Sequence, residues 1–245
     1  MLLALDIGNT AMKFGVFEGD ELIKKFIVAT DVDDVSGELR NALGENIGGD
    51  LDGVIISSVV PEYDATVHET FLSAGIAARQ VTAKDDFGLK FSFSVDSFGT
   101  DRLVNSFAAA EKYGTPCIVI SFGTATTIEV VSKDREYLGG MIAPGPRASA
   151  KALEMVTSRL PEVKVDEPAN VINTNTAAAI QAGIFYSQIG LVETAIPHIK
   201  VEIGDDAQVI ATGGFAPLLA DKCRSIDIVE PDLTLYGLKM LYSRA

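Results

Sequence analysis

The sequence predicts an α/β protein built from two similar halves, each a mixed sheet flanked by helices. The main evidence is repetition. LLALDIGNTAMKFGVF (2–17) and CIVISFGTATTIEVVS (117–132) share one layout at an offset of 115 residues, with Asp6 falling on Ser121 and Gly8 on Gly123. Each is an apolar run, a polar residue, one further residue, a glycine, a Thr-rich turn and a return strand; repetition over so long a period marks a duplicated unit. The apolar runs LLALDI, GVIISSV and CIVISF lack polar alternation, as expected of strands covered on both faces. Stretches of helical spacing follow each group of strands, which suits helices packed on sheets.

In chain order, residues 2–7 form the first strand, MKFGVF its antiparallel return and ELIKKFIVA a third strand. A helix follows near 33–46, with Asp33 or Asp34 as its N-cap. GVIISSV is a buried strand, Pro61 opens a helix reaching about Ser73, and RQVT is a short strand. Residues 86–98, aromatic and Ser-rich, form a connection near the site. The next helix carries Leu103, Val104, Phe107 and Ala108 on one face, and Gly114 ends it. The boundary is placed there, giving halves 1–114 and 115–245. The second half repeats the strands with CIVISF, TIEVVS and YLGGMI, then a helix from Pro146 to Ser158 and the loop LPEVKVDEP. A long helix over 175–198, strand QVIAT, a helix, strand SIDIV and a last helix from Pro231 complete it.

Composition narrows the function. The 245 residues are 47% hydrophobic and 22% charged, the profile of a globular protein with a sizeable core. A net charge of -14 repels phosphate backbones and anionic lipid, so direct nucleic-acid or membrane binding is not expected. A nucleotide still fits, because local backbone N–H groups and a metal ion override the global field. No run reaches the roughly 18 apolar residues of a membrane span. MLLALDIG lacks a basic leader and cleavage pattern, so it reads as a core strand and the protein as cytoplasmic. Cys117 and Cys223 lie in apolar runs and read as reduced thiols, while His68 and His198 have no metal-ligand spacing.

The chemistry concentrates at the turns. A tight Gly-Thr turn between strands gathers N–H groups and hydroxyls in a concavity suited to phosphate oxygens. A carboxylate just before it can hold hydrated Mg²⁺, which takes only one or two carboxylates. Asp6, Gly8, Asn9 and Thr10 meet both needs, with Lys13 on the return strand a further nucleotide contact. Gly123, Thr124 and Thr126 repeat the turn, and two facing phosphate turns would make a nucleotide cleft. Thr212, Gly213 and Gly214 follow a strand and precede a helix, where glycines admit a ligand close to the backbone. Gly99, Thr100, Asp101 and Arg102 open a helix. There Asp101 can cap the helix or act as base for a substrate hydroxyl, and the Arg102 guanidinium can grip a carboxylate. GGMIAPG (139–145) lets backbone approach a ligand, and the Thr176 hydroxyl can cap the long helix or face a substrate.

In order and spacing, DIGNT, SSVVP, FGTDR, FGTATT, GGMIAPG, RLPEV, NTAAAIQAG, ATGG and DLTLYGLK resemble the type III pantothenate kinases over nearly the whole chain. The resemblance implies a duplicated actin-like (ribonuclease H-like) ATPase fold, a homodimer, and phosphorylation of pantothenate by ATP at the first step of coenzyme A synthesis. It also implies Mg²⁺ and a monovalent cation, K⁺ or NH4⁺. On this resemblance Asp6, Gly8, Asn9 and Thr10 belong to the first phosphate motif. Gly99, Asp101 and Arg102 form the pantothenate motif, with Asp101 as base; Thr176 contacts substrate across the dimer, and Thr212, Gly213 and Gly214 lie near the adenosine.

The sequence departs from the family at Ser121, where the second phosphate motif begins with aspartate. Loss of one preorganised electrostatic group costs about 2.7–4 kcal/mol in a transition state. If the turn is centred on Ala125, Glu129 lies opposite Ser121 and supplies the missing carboxylate; Asp6, Ser121 and Glu129 are therefore the candidate metal-site residues. Ser121 also keeps open a non-catalytic relative acting as ligand sensor or accessory protein. A third reading is a kinase of this fold for another small carboxylate.

Overall fold

The structure, a computed structural model, describes every residue except 31, 33, 157–160, 162, 205 and 245. Two five-stranded sheets carry the chain. The first is ordered β3-β2-β1-β4-β5, from β1 (Leu2–Ile7), β2 (Ala11–Glu18), β3 (Glu21–Ala29), β4 (Gly53–Ser58) and β5 (Ala78–Gln80). The second is ordered β10-β9-β6-β7-β8, from β6 (Cys117–Phe122), β7 (Ala125–Val131), β8 (Tyr137–Pro144), β9 (Gln208–Thr212) and β10 (Ile228–Val229). Read from its opposite edge, the second order is the first. In each sheet the opening strand pairs antiparallel with its return strand and parallel with the strand after a helix. The fold is therefore a duplicated α/β architecture of the actin-like type.

The duplication is not in constant register. Ile7 faces Met12 across the first turn, but Phe122 faces Thr126 across the second, which is one residue shorter. The offset of 115 thus falls to 114 on the return strand, where Lys13 corresponds to Thr127 and Gly15 to Glu129.

The chain divides into two compact units: residues 1–89, 93–108 and 233–245, and residues 90–92 and 109–232. This differs from a split at 114, because the last helix joins the first unit. In that unit Leu3, Leu5 and Ile7 pack against α1 (Val35–Asn46) and α2 (Pro61–Ser73). On the other sheet face lie α3 (Thr100–Tyr113) and α7 (Leu233–Tyr242), with Leu235 against Gly15 and Gly237 against Val104. Burying each such aliphatic side chain contributes about 1.5–3 kcal/mol. Asp34 caps α1, accepting from the Gly37 N–H at 2.8 Å; Asp33, the alternative cap, lies outside the described residues.

In the second unit Ile118, Ile120 and Phe122 pack against Phe185, Val192 and Ile196 of α5 (Thr176–Ile203) and against α6 (Ala216–Leu219). α5 runs beyond the expected end at 198, straight through Pro197. An interior proline costs about 3 kcal/mol, which the continued packing of Ile199 and Ile203 on this core offsets. Gly204, at φ +66°, then ends the helix. α4 spans Pro146–Val156, so the expected end at Ser158 lies outside the described residues. The strand expected over SIDIV shortens to Ile228–Val229, and the last helix begins at Leu233 rather than Pro231. Cys117 and Cys223 are buried free thiols pushed up to about 12 and about 11 by burial, so neither is a thiolate at neutral pH.

Candidate active site

The first unit gathers its candidates on one face of its sheet, at the C-terminal end of β1. Asp6 pairs with Lys13 on one side and with Ser57 on the other. Thr100 donates to the Ser58 carbonyl at 3.2 Å, leaving the Ser57 hydroxyl to donate to Thr100 at 2.9 Å. These bonds tie the start of α3 to β4, so Asp101 comes into the electrostatic neighbourhood of Asp6. Gly99 leaves room for the Asp101 carboxylate, one oxygen of which would lie 2.5 Å from a Cβ there.

Both carboxyls are shifted upward. Burial pushes Asp6 to about 6; Lys13, with its Nζ 3.9 Å away, pulls it down, and the charge of Asp101 raises it further. Burial likewise raises Asp101, against the opposing pull of the Arg102 N–H, the Arg102 guanidinium and Lys13. Two carboxyls held above their usual range in one region make this end of β1 the candidate site. A cation there would relieve both. Among the described residues no group of three or more His, Cys, Asp or Glu side chains could hold a metal alone. The buried Asp6 carboxyl fits Mg²⁺, which is commonly held by one or two carboxylates with water and substrate phosphates completing its shell.

The first turn is held from outside. Its Gly8 N–H donates to the Ala11 carbonyl at 3.1 Å. Buried Thr30, which the sequence did not single out, donates its hydroxyl to the Gly8 carbonyl at 2.7 Å and its N–H to the Thr10 carbonyl at 3.1 Å. Asn9 stands exposed at the tip. Arg102 lies with its guanidinium 4.6 Å from the Phe98 ring centroid, and Phe93 backs that ring at 5.7 Å.

In the second unit the Gly123 N–H donates to the Ala125 carbonyl at 3.0 Å and the Gly145 N–H to the Thr124 carbonyl at 3.0 Å. A Cβ on Gly145 would lie 2.3 Å from the Gly123 carbonyl oxygen, which is why the GGMIAPG segment ends in glycine. Gly213 (φ +93°) crosses directly behind this turn; a Cβ there would lie 2.6 Å from the Phe122 carbonyl oxygen. The two expected nucleotide elements, 123–126 and 212–214, are therefore adjacent, with Thr124 and Gly214 exposed. Thr126 is buried, and its hydroxyl donates to Gln188 at 2.6 Å rather than pointing toward a phosphate.

One expectation is overturned. Glu129 faces Val119, and Ser121 faces Thr127, because the turn is centred on Thr124 rather than Ala125, which moves the pairing by two residues. The Glu129 carboxylate is buried and accepts from the Tyr137 hydroxyl. It does not stand in for the aspartate that Ser121 replaces, and the metal role expected of it falls with the register. Ser121 is flanked by Thr127 and Thr212, so hydroxyls lie where the first unit has Lys13, Asp6 and Ser57. Thr176 is exposed at the start of α5, and the cap of that helix is Asn175, which accepts from the Ala178 N–H at 2.9 Å.

Comparison with known proteins identifies the class as a kinase, a phosphotransferase. The sequence profile of the type III pantothenate kinases matches residues 2–198. Curated type III pantothenate kinases from Dehalococcoides mccartyi (strain ATCC BAA-2266) and Brevibacillus brevis are 41% and 40% identical. The first alignment covers 98% of this chain and 96% of its relative, the second 100% and 99%. The chain belongs to the type III pantothenate kinase family. The inorganic polyphosphate/ATP-glucomannokinase of Arthrobacter sp. strain KM shares the fold, with a TM-score of 0.52 at 13% identity over 100% of this chain and 99% of its own.

Proposed function

We propose that the protein transfers the γ-phosphoryl group of ATP to the 4′-hydroxyl of pantothenate, the first step of coenzyme A synthesis. The observation that carries this reading is Asp101, raised by burial and fixed at a helix start beside Arg102, with Asp6 nearby. Asp101 takes the proton of the hydroxyl as its oxygen forms a bond to the γ-phosphorus and the bond to the β-phosphate oxygen breaks. Arg102 holds the pantothenate carboxylate, and Thr176 contacts the substrate. In the second unit the 123–125 turn binds phosphate oxygens and Gly213 and Gly214 border the adenosine; in the first, Gly8, Asn9, Thr10 and Lys13 are the phosphate-contacting residues. Asp6 would hold Mg²⁺, which would supply positive charge against the phosphates. A K⁺ or NH4⁺ requirement, a homodimer and a cytoplasmic location belong to the same reading. Exposed Leu138, Met141 and Ile142 on edge strand β8 support the dimer; no helix among the described residues is long and apolar enough to cross a membrane.

The test is ADP release from ATP with pantothenate, Mg²⁺ and K⁺ or NH4⁺. Pantothenate-dependent turnover is expected, and its absence in folded protein would sink the assignment. Ser121→Asp should raise kcat by about tenfold or more, since a preorganised charge is commonly worth 100- to 1000-fold. An unchanged rate would mean the hydroxyls at 121, 127 and 212 suffice. Phe98→Leu removes the ring beneath Arg102, so KM for pantothenate should rise about three- to fivefold with kcat held, and Phe98→Tyr should restore it.

A further inference from the structure

Gln188 is a polar residue on the core face of α5, among Phe185, Val192, Ala195 and Ile196, and only 4% of it is exposed. Its amide is fully specified. Nε2 donates to the Pro144 carbonyl at 3.2 Å, and Oε1 accepts from the Thr126 hydroxyl at 2.6 Å. A carbonyl only accepts, so the NH2 group must face Pro144 and the oxygen must face Thr126; this orientation makes Thr126 a donor. Thr126 leaves the 123–125 turn, while Pro144 precedes Gly145, whose N–H holds the Thr124 carbonyl. One side chain therefore joins β7, the strand that leaves the turn, to the end of β8, whose following residue holds the turn, across sequence separations of 62 and 44 residues.

We infer that Gln188 is a positioning residue that sets the shape of the 123–125 turn and, through it, the affinity for the triphosphate of the nucleotide. This rests on the nucleotide role proposed for that turn. Gln188 touches no substrate in this scheme. Buried amides are strongly held when both ends are satisfied, and removing one partner leaves the other unsatisfied. Thr126 accordingly serves as scaffold rather than as a phosphate ligand. The first turn has its own clamp in Thr30, so the effect is confined to the second.

The experiment compares wild type, Gln188→Leu, Thr126→Val, Thr126→Ser and the double variant Gln188→Leu/Thr126→Val. Steady-state ADP release and the thermal shift produced by Mg·ATP are both measured. KM for ATP should rise about tenfold in each of Gln188→Leu and Thr126→Val, as for loss of one buried hydrogen bond. KM for pantothenate should stay within about twofold, and the double variant should be no worse than the poorer single one, because both act through one interaction. Thr126→Ser, which keeps the donor, should resemble wild type. Should Gln188→Leu fail to fold, Thr126→Val and Thr126→Ser carry the comparison. Folded variants with unchanged ATP affinity, an equal rise for pantothenate, or additive single effects would overturn the inference. A wild type with neither ATP-dependent stabilisation nor turnover would instead sink the nucleotide reading on which it stands.

Discussion

Asp101→Asn is expected to lower kcat by about 100- to 10,000-fold, the range removed with a positioned general base. Asparagine keeps the shape of the side chain, and its carbonyl oxygen can still accept from the Arg102 N–H that the carboxylate now engages. KM for ATP and pantothenate should therefore change little, which separates lost chemistry from lost binding. Burial lifts the carboxyl above its ordinary range, so wild-type activity should fall on the acid side as Asp101 is protonated. The acid limb should be flattened in the residual rate of the variant. A variant within a few fold of wild type would remove Asp101 from the chemistry and leave substrate positioning as the source of rate.

The second large effect is on stability, with an unusual sign. Asp6 has a folded-state pKa of about 6 against 3.8 for the unfolded chain. Its contribution is fully present below about pH 4 and is lost as the pH climbs through about 6, because the folded protein binds the extra proton. At about 1.4 kcal/mol per pKa unit, ionising Asp6 removes roughly 3 kcal/mol. Asp6→Asn should therefore nearly match wild type near pH 3.5 and exceed it near pH 8 by about 5–10 °C in Tm without metal. It should also be nearly inactive and lose the stabilisation that Mg·ATP gives wild type, which follows ligand occupancy. A melting difference independent of pH would show that Asp6 carries no burial penalty. Stabilisation by Mg·ATP in the variant would place the metal elsewhere.

The buried strands were legible because double-sided burial leaves uninterrupted apolar runs, and the turns because glycine and threonine punctuate them. Asp6, Asp101 and the glycines of both units were candidates from the chemistry their types permit at strand and helix ends. The register of the second hairpin was not legible. Nothing local distinguishes a turn centred on Thr124 from one centred on Ala125, yet moving the centre by one residue shifts the pairing by two and takes Glu129 from opposite Ser121 to opposite Val119. The clamps formed by Thr30, Ser57 and Gln188 join residues far apart in sequence, and only tertiary pairing reveals them. Gln188 did leave a trace, since an amide among Phe185, Val192 and Ile196 breaks an apolar helix face. The far end of α5 was hidden for the opposite reason, because core packing beyond Pro197 outweighs a local helix breaker.

The placement of α7 carries a consequence for biosynthesis. Leu233, Leu235, Leu238 and Leu241 are buried, and the helix packs on β1, β2 and β4, strands synthesised long before it. Gly53 on β4 leaves room for the ring of Tyr242, whose hydroxyl oxygen would sit 2.1 Å from a Cβ there. The first unit is thus completed only after every strand of the second has been made. Until α7 emerges from the ribosome, the nascent chain leaves one face of its first sheet without this cover, the kind of exposed apolar surface on which chaperones act.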